Sequence, residues 1–130
     1  MATLTPTLTL SSTDASSDTL ALSVTDSLTI GAPAIGVSKT AIAASGGTAS
    51  VLKPSGSANQ YFYIRHTGYQ ADGTTATTNQ VAVELGGNTD LLRIAAGEWA
   101  FFPVKSDVIV EALSSSSHLI LIEYAYWTAA

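Results

Sequence analysis

The chain has 130 residues, no cysteine and a formal net charge of −5, which fits a single domain and excludes disulfides and thiolate metal sites. Its five cations, Lys39, Lys53, Arg65, Arg93 and Lys105, are spread singly. A phosphate backbone or an anionic bilayer requires clustered positive charge, so neither nucleic acid nor a membrane is an expected partner. Charged residues make up 12% of the chain, about half the usual ~25%, and serine and threonine, about a quarter of all residues, supply the missing polarity. A chain that is polar through hydroxyls and rich in Thr, Val, Ile and aromatics suits pleated, half-buried surfaces.

The opening segment MATLTPTLTL lacks the basic and continuous apolar regions of a secretory signal, and no apolar run approaches the ~18 residues that cross a bilayer. Residues 3–10 alternate strictly, with Leu4, Pro6, Leu8 and Leu10 on one side and threonines on the other. That period predicts a strand, and Pro6 restricts it to an edge or an extended arm. Residues 11–18, SSTDASSD, have the composition of a loop. Residues 19–30 alternate again through Leu20, Leu22, Val24, Leu28 and Ile30, with Asp26 marking a bulge or bend, since a lone carboxylate on a core face is costly.

Gly31-Ala32-Pro33 predicts a turn, and residues 35–42 are compatible with either a weak strand or a loop. A short strand follows in residues 46–56, closed by Lys53-Pro54, and a clear one in QYFYIRHT, residues 60–67. Residues 68–79 form a polar loop with a turn at Asp72-Gly73. QVAVEL, residues 80–85, turns Val81, Val83 and Leu85 inward, and GGNTD, residues 86–90, has the residues of a hairpin connection. The last third holds DLLRIA, EWAFFPV, DVIVEAL and HLILIEYAYW, separated by AAG, KSD and SSSS. Strands at intervals of about ten residues predict an all-β, jelly-roll-like sandwich of about eight to ten strands. An N-terminal arm and Ser/Thr-rich loop (residues 1–18) precede the sandwich domain (residues 19–130).

No motif for chemistry emerges. His66 and His118 lie in separate strands, short of the three convergent ligands a zinc site needs. Asp14, Asp18 and Asp26 lack calcium-loop spacing. No nucleophile elbow is present, and the Gly-Gly pairs lack the lysine and helix of a phosphate loop. Glu84, Glu98, Glu111 and Glu123 fall in or beside separate strands, with nothing to set two of them across a cleft. Neither catalysis nor a cofactor or metal is expected.

The last strand poses a different question. Ile120, Ile122, Tyr124 and Tyr126 share one side, while Leu119, Leu121, Ala125 and Trp127 share the other with Glu123. The strand of Trp99 is likewise apolar on both sides, through Phe101 and Phe102. Such strands belong in the middle of three layers, whereas one domain of this length builds two. Each large aromatic left wet forgoes about 4–6 kcal/mol before ordering costs. A second chain is the expected cover, making Leu4, Leu8, Leu10, Trp99, Phe102, Leu119, Leu121 and Trp127 the candidate contact residues. The arm suits a strand exchanged with a neighbour's sheet edge.

The segments TPTLTLSSTDASSDTLALSVTDSLT, YIRHTGYQADGTT and AAGEWAFFPV with EYAYWT give the chain a resemblance, over nearly its full length, to small virion structural proteins of tailed bacteriophages, particularly those of marine cyanobacterial phages. The resemblance implies a non-enzymatic building block: a capsid decoration or cement protein, assembled in the host cytoplasm and seated on the capsid exterior. Its implied partners are copies of itself, a trimer above all, and the major capsid protein or another virion protein. A tail, neck or fibre component, with Trp99, Trp127 or Tyr69 as a glycan platform, is the alternative. A free carbohydrate-binding module is a third reading.

Overall fold

The computed structural model describes residues 1–130, apart from the side chain of Pro33, and contains eleven strands and no helix among them. They are β1 (Ala2–Leu4), β2 (Thr7–Ser12), β3 (Leu20–Thr25), β4 (Leu28–Ile42), β5 (Ser50–Lys53), β6 (Gln60–Gln70), β7 (Val81–Leu85), β8 (Asn88–Ile94), β9 (Trp99–Val104), β10 (Val110–Ser114) and β11 (Ile120–Ala129). All pairings between strands are antiparallel. A five-stranded sheet has the order β1-β4-β11-β6-β9, a four-stranded sheet the order β5-β10-β7-β8, and β2 pairs with β3 alone.

The pairings are nested. Strand β7 pairs with β8, β6 with β9, β5 with β10 and β4 with β11. The chain from β4 onward is thus one long double ribbon, folded over so that alternate rungs fall in opposite sheets. Its inner end is a tight turn at Gly86-Gly87, where both residues have positive φ, 59° and 80°, as a two-residue connection of this hand requires.

Alternation along the strands decides what lies between the sheets. Ile42, Phe62, Ile64, Ile120 and Ile122 come from the larger sheet, and Leu52, Val81, Val83, Val110 and Ala112 from the smaller, forming one buried cluster. Phe62 is fully buried, with its ring 5.6 Å from Phe102 and 6.4 Å from Tyr124. Of the buried polar side chains, two are fully sealed from water. His66 accepts from the Gly68 amide at Nδ1 (2.9 Å), which puts its proton on Nε2, facing the Asn79 carbonyl at 2.8 Å. Lys53 directs its ammonium at the carbonyls of Val108 (2.6 Å), Pro54 (3.0 Å) and Ser106 (3.4 Å), and burial pushes its pKa down.

Two expectations change and one open alternative is settled. Gly31-Ala32-Pro33 does not turn the chain but lies within β4. There Trp127 pairs with Ala34 and Thr128 with Gly31, so Ala32 and Pro33 are absorbed as a bulge, one of the few places a sheet tolerates proline. Residues 35–42, left open between strand and loop, continue the same strand. The N-terminal segment is not a single extended arm: β1 is the edge strand of the larger sheet in its own chain, pairing Leu4 with Leu28, while β2 and β3 form a separate hairpin. The boundary at residue 18 falls inside that hairpin's connecting loop.

Candidate docking surface

The β2–β3 hairpin is amphipathic by construction. Its register pairs Leu8 with Val24 and Leu10 with Leu22 on one face, and Thr7 with Thr25 and Thr9 with Ser23 on the other. The polar face is laced by hydroxyl contacts, Thr7 to Thr25 at 3.0 Å and Thr9 to Ser23 at 3.5 Å. At the tip, the Ser12 hydroxyl accepts from the amides of Asp14 and Ala15 and donates to the Asp14 carboxylate, a side-chain turn that spares the backbone a glycine. At the base, the Asp26 amide donates to the Pro6 carbonyl (3.1 Å) and the Asp26 carboxylate accepts from the Ser27 amide. Asp26 is therefore the hinge post of the hairpin.

Among the described residues, the hydrogen bonds of residues 7–25 stay within the hairpin and its base. Its apolar face is open to water: Leu8, Leu10, Leu20, Leu22 and Val24 are 36–53% exposed. A stable soluble chain seldom gathers five such side chains on one wet surface.

The outer face of the five-stranded sheet lies beside it. Tyr61, Tyr63 and Arg65 of β6 point outward, because Phe62, Ile64 and His66 point in. Register then sets Trp127 and Pro103 beside Tyr61, Ala125 and Phe101 beside Tyr63, and Glu123 and Trp99 beside Arg65. The Tyr61 and Phe101 rings stack at 6.2 Å with 12° between planes. Pro6, Leu8 and Val24 at the hairpin base face Tyr61, Phe101 and Pro103 across a largely apolar groove of about 480 Å³. A second groove, of about 320 Å³, runs from Pro6 and Leu8 to Tyr63, Phe101 and Trp99. Together they make an apolar jaw with the hairpin as one side and the sheet as the other.

Charge is distributed unevenly over this surface. Arg93 is ion-paired with Asp90, Lys105 with Asp107 at 3.0 Å, and Lys53 is buried. Lys39 and Arg65 are exposed on the outer face of the larger sheet, on either side of Glu123, and neither has an ion-pair partner among the described residues. Glu123 accepts a 2.9 Å hydrogen bond from the Tyr63 hydroxyl. Burial first, and that bond second, push the phenol above its ordinary pKa. Asp14 and Asp18 leave the hairpin tip acidic, with no cation in its loop.

The sequence-predicted contact residues separate into groups. Leu8 and Leu10 lie on the hairpin, and Trp99, Leu121 and Trp127 on the outer face of the larger sheet, where Trp99 is 54% exposed and the other two are half-buried. Leu4 is half-buried in β1. Leu119 is exposed just before β11, beside residue 71, whose amide donates to its carbonyl. Phe102 faces inward against Phe62. The second apolar side of β11 is thus partly roofed by its own chain, Ala125 being fully buried. Leu20, Leu22 and Val24 were missed as surface residues, because the same alternation suits a core strand. Lys39 and Arg65 were seen only as isolated charges.

Among the described residues no three His, Cys, Asp or Glu side chains are grouped as metal ligands. Glu84 and Glu111 are brought opposite each other, but on neighbouring strands of the smaller sheet with no cleft between them. No protein-family model matches the chain, and neither does any curated protein or solved structure.

Proposed function

We propose that the chain is a non-enzymatic virion structural protein, a capsid decoration or cement protein that docks on major capsid proteins and on neighbouring copies of itself. The observation that carries this reading is the open apolar face of the β2–β3 hairpin beside an aromatic sheet face. Such a surface is costly in a free monomer and useful in an assembly. The nested pairing supports it: strands β4–β11, split as β4-β11-β6-β9 and β5-β10-β7-β8, suit a jelly-roll reading, an architecture common in viral shells. Fold alone does not assign the role; the exposed hairpin is what supports it. The cytoplasmic assembly and capsid-exterior location belong to the same proposal.

Shells lacking this protein, incubated with the purified chain, test it. Particle mass should rise by on the order of hundreds of copies, as repeating shell symmetry demands, and a variant with residues 7–25 replaced by a short glycine linker should not bind. Absence of binding by the intact chain would overturn the reading. Binding of only a few copies at one vertex would move the protein to the tail or neck, a reading that the exposed Trp99 beside Tyr63 and Arg65 favours as a glycan platform.

A further inference from the structure

We infer that the outer face of the five-stranded sheet receives the β2–β3 hairpin of a second copy of this chain. The hairpin's leucine face lies on Tyr61, Tyr63, Phe101 and Trp99, and its acidic tip turns to Lys39 and Arg65.

The chain supplies both halves of this contact. The donor half is a face of four leucines and one valine, all left wet in their own chain. The acceptor half is the aromatic layer that Pro6 and Leu8 at the base of the hairpin face across open grooves. A second hairpin therefore extends a packing chemistry that the fold has begun. Charge sets the direction of docking. The tip carries Asp14 and Asp18 and no cation, while Lys39 and Arg65, two exposed side-chain cations outside ion pairs, flank Glu123 on the receiving face and leave it net positive there. Opposed patches of this kind fix register and favour one partner over others.

Size agrees as well. A strand of six residues spans about 20 Å, and the step from the Tyr61 row to the Arg65 row is about 13 Å, so one hairpin covers the aromatic layer and still reaches the cations. Two reciprocal contacts would have to bury about 1,200–2,000 Å² in total to hold a stable dimer. Reciprocity gives a closed pair; the same contact made head to tail around a ring closes a trimer.

This rests on the reading of the chain as an assembling structural subunit, but not on the shell it joins. The protein has no cysteine, so single thiols report contacts cleanly. Leu22→Cys and Trp99→Cys variants, each carrying one thiol on an exposed position, are mixed and oxidised. The mixed disulfide should predominate over either homodimer. No cross-link, or one confined to Leu22→Cys with itself, would overturn the exchange. In sedimentation at low salt, an Asp14→Lys/Asp18→Lys variant should self-associate about tenfold more weakly, with an unchanged melting temperature. Combining it with Lys39→Glu/Arg65→Glu should restore association. Indifference to both sets would also overturn the proposal. Cross-linking without shell binding keeps the exchange and removes the shell role; shell binding by a chain that never cross-links removes the exchange alone.

Discussion

The Tyr63 hydroxyl donates to the Glu123 carboxylate at 2.9 Å, diagonally across the β6–β11 ladder and out of register with either residue's direct partner. The bond ties the centre of the larger sheet on the side where its aromatic layer meets water. It also places a negative charge next to a phenol, so the phenol resists ionisation.

Tyr63 should therefore ionise above the ordinary tyrosine value of about 10. Its folded pKa is raised, so the stabilisation it brings is complete below pH 10 and is lost as pH climbs through the higher folded value. Ultraviolet titration of the phenolate, compared between the native chain and Glu123→Gln, reads this directly. The substitution should bring the midpoint back toward the ordinary value, though not fully, because burial is the larger cause.

Excising the hairpin should cost the fold little. Its hydrogen bonds are its own, and Asp26 already meets Pro6 at its base, so a short glycine linker can replace residues 7–25 without straining β1 or β4. Urea denaturation should show a loss of about 1 kcal/mol or less, because the hairpin faces Tyr61 and Phe101 only across an open groove. A large loss would mean that the hairpin belongs to the core.

Lys53 is expected to behave as a structural pin. Lys53→Met keeps the apolar stem but leaves the part-buried carbonyls of Pro54 and Val108 without their donor, at a cost of about 1 kcal/mol. Equilibrium unfolding measures the loss, and amide exchange should localise the loosening to residues 105–108.

In the loop after β6, Asp72 accepts from the amides of Thr74 and Thr75 and from the Thr75 hydroxyl. These bonds, the hydroxyl's first, lower its pKa to about 2. The contribution of these bonds is present above the ordinary value near 3.8 and lost as pH falls through about 2. Carboxyl NMR should find a midpoint near 2 for Asp72, with the Thr74 and Thr75 amides losing protection over the same interval. A midpoint near 4 would dismiss the turn.

Much of the strand pattern was legible because alternation is a local property. The inward set Ile120, Ile122, Tyr124 and Tyr126 follows from period two alone, and so do the leucines of β2. What alternation lacks is a partner: the same pattern makes Leu20, Leu22 and Val24 look like core when their only neighbour is another leucine-bearing strand. Gly31-Ala32-Pro33 looked like a turn since bulge and turn draw on the same residues, and only pairing with β11 tells them apart. Lys53 beside proline reads as a surface charge, because two of the three carbonyls that enclose it, those of Ser106 and Val108, come from elsewhere in the chain. For the docking surface, the aromatics were visible as residues. Their gathering in rows with Lys39 and Arg65 depends on register between strands far apart in sequence.

Nesting also governs the order in which this molecule can come together. Strand β11 sits between β4 and β6, so the larger sheet stays split, with two bare edges, until β11 has left the ribosome. Only the β7–β8 turn and the β2–β3 hairpin can form from neighbouring residues. Everything else waits on distant segments, which makes for slow folding and a vulnerable interval for the nascent chain. During that interval the independent hairpin, with its leucines already displayed, is the part most ready to find another chain.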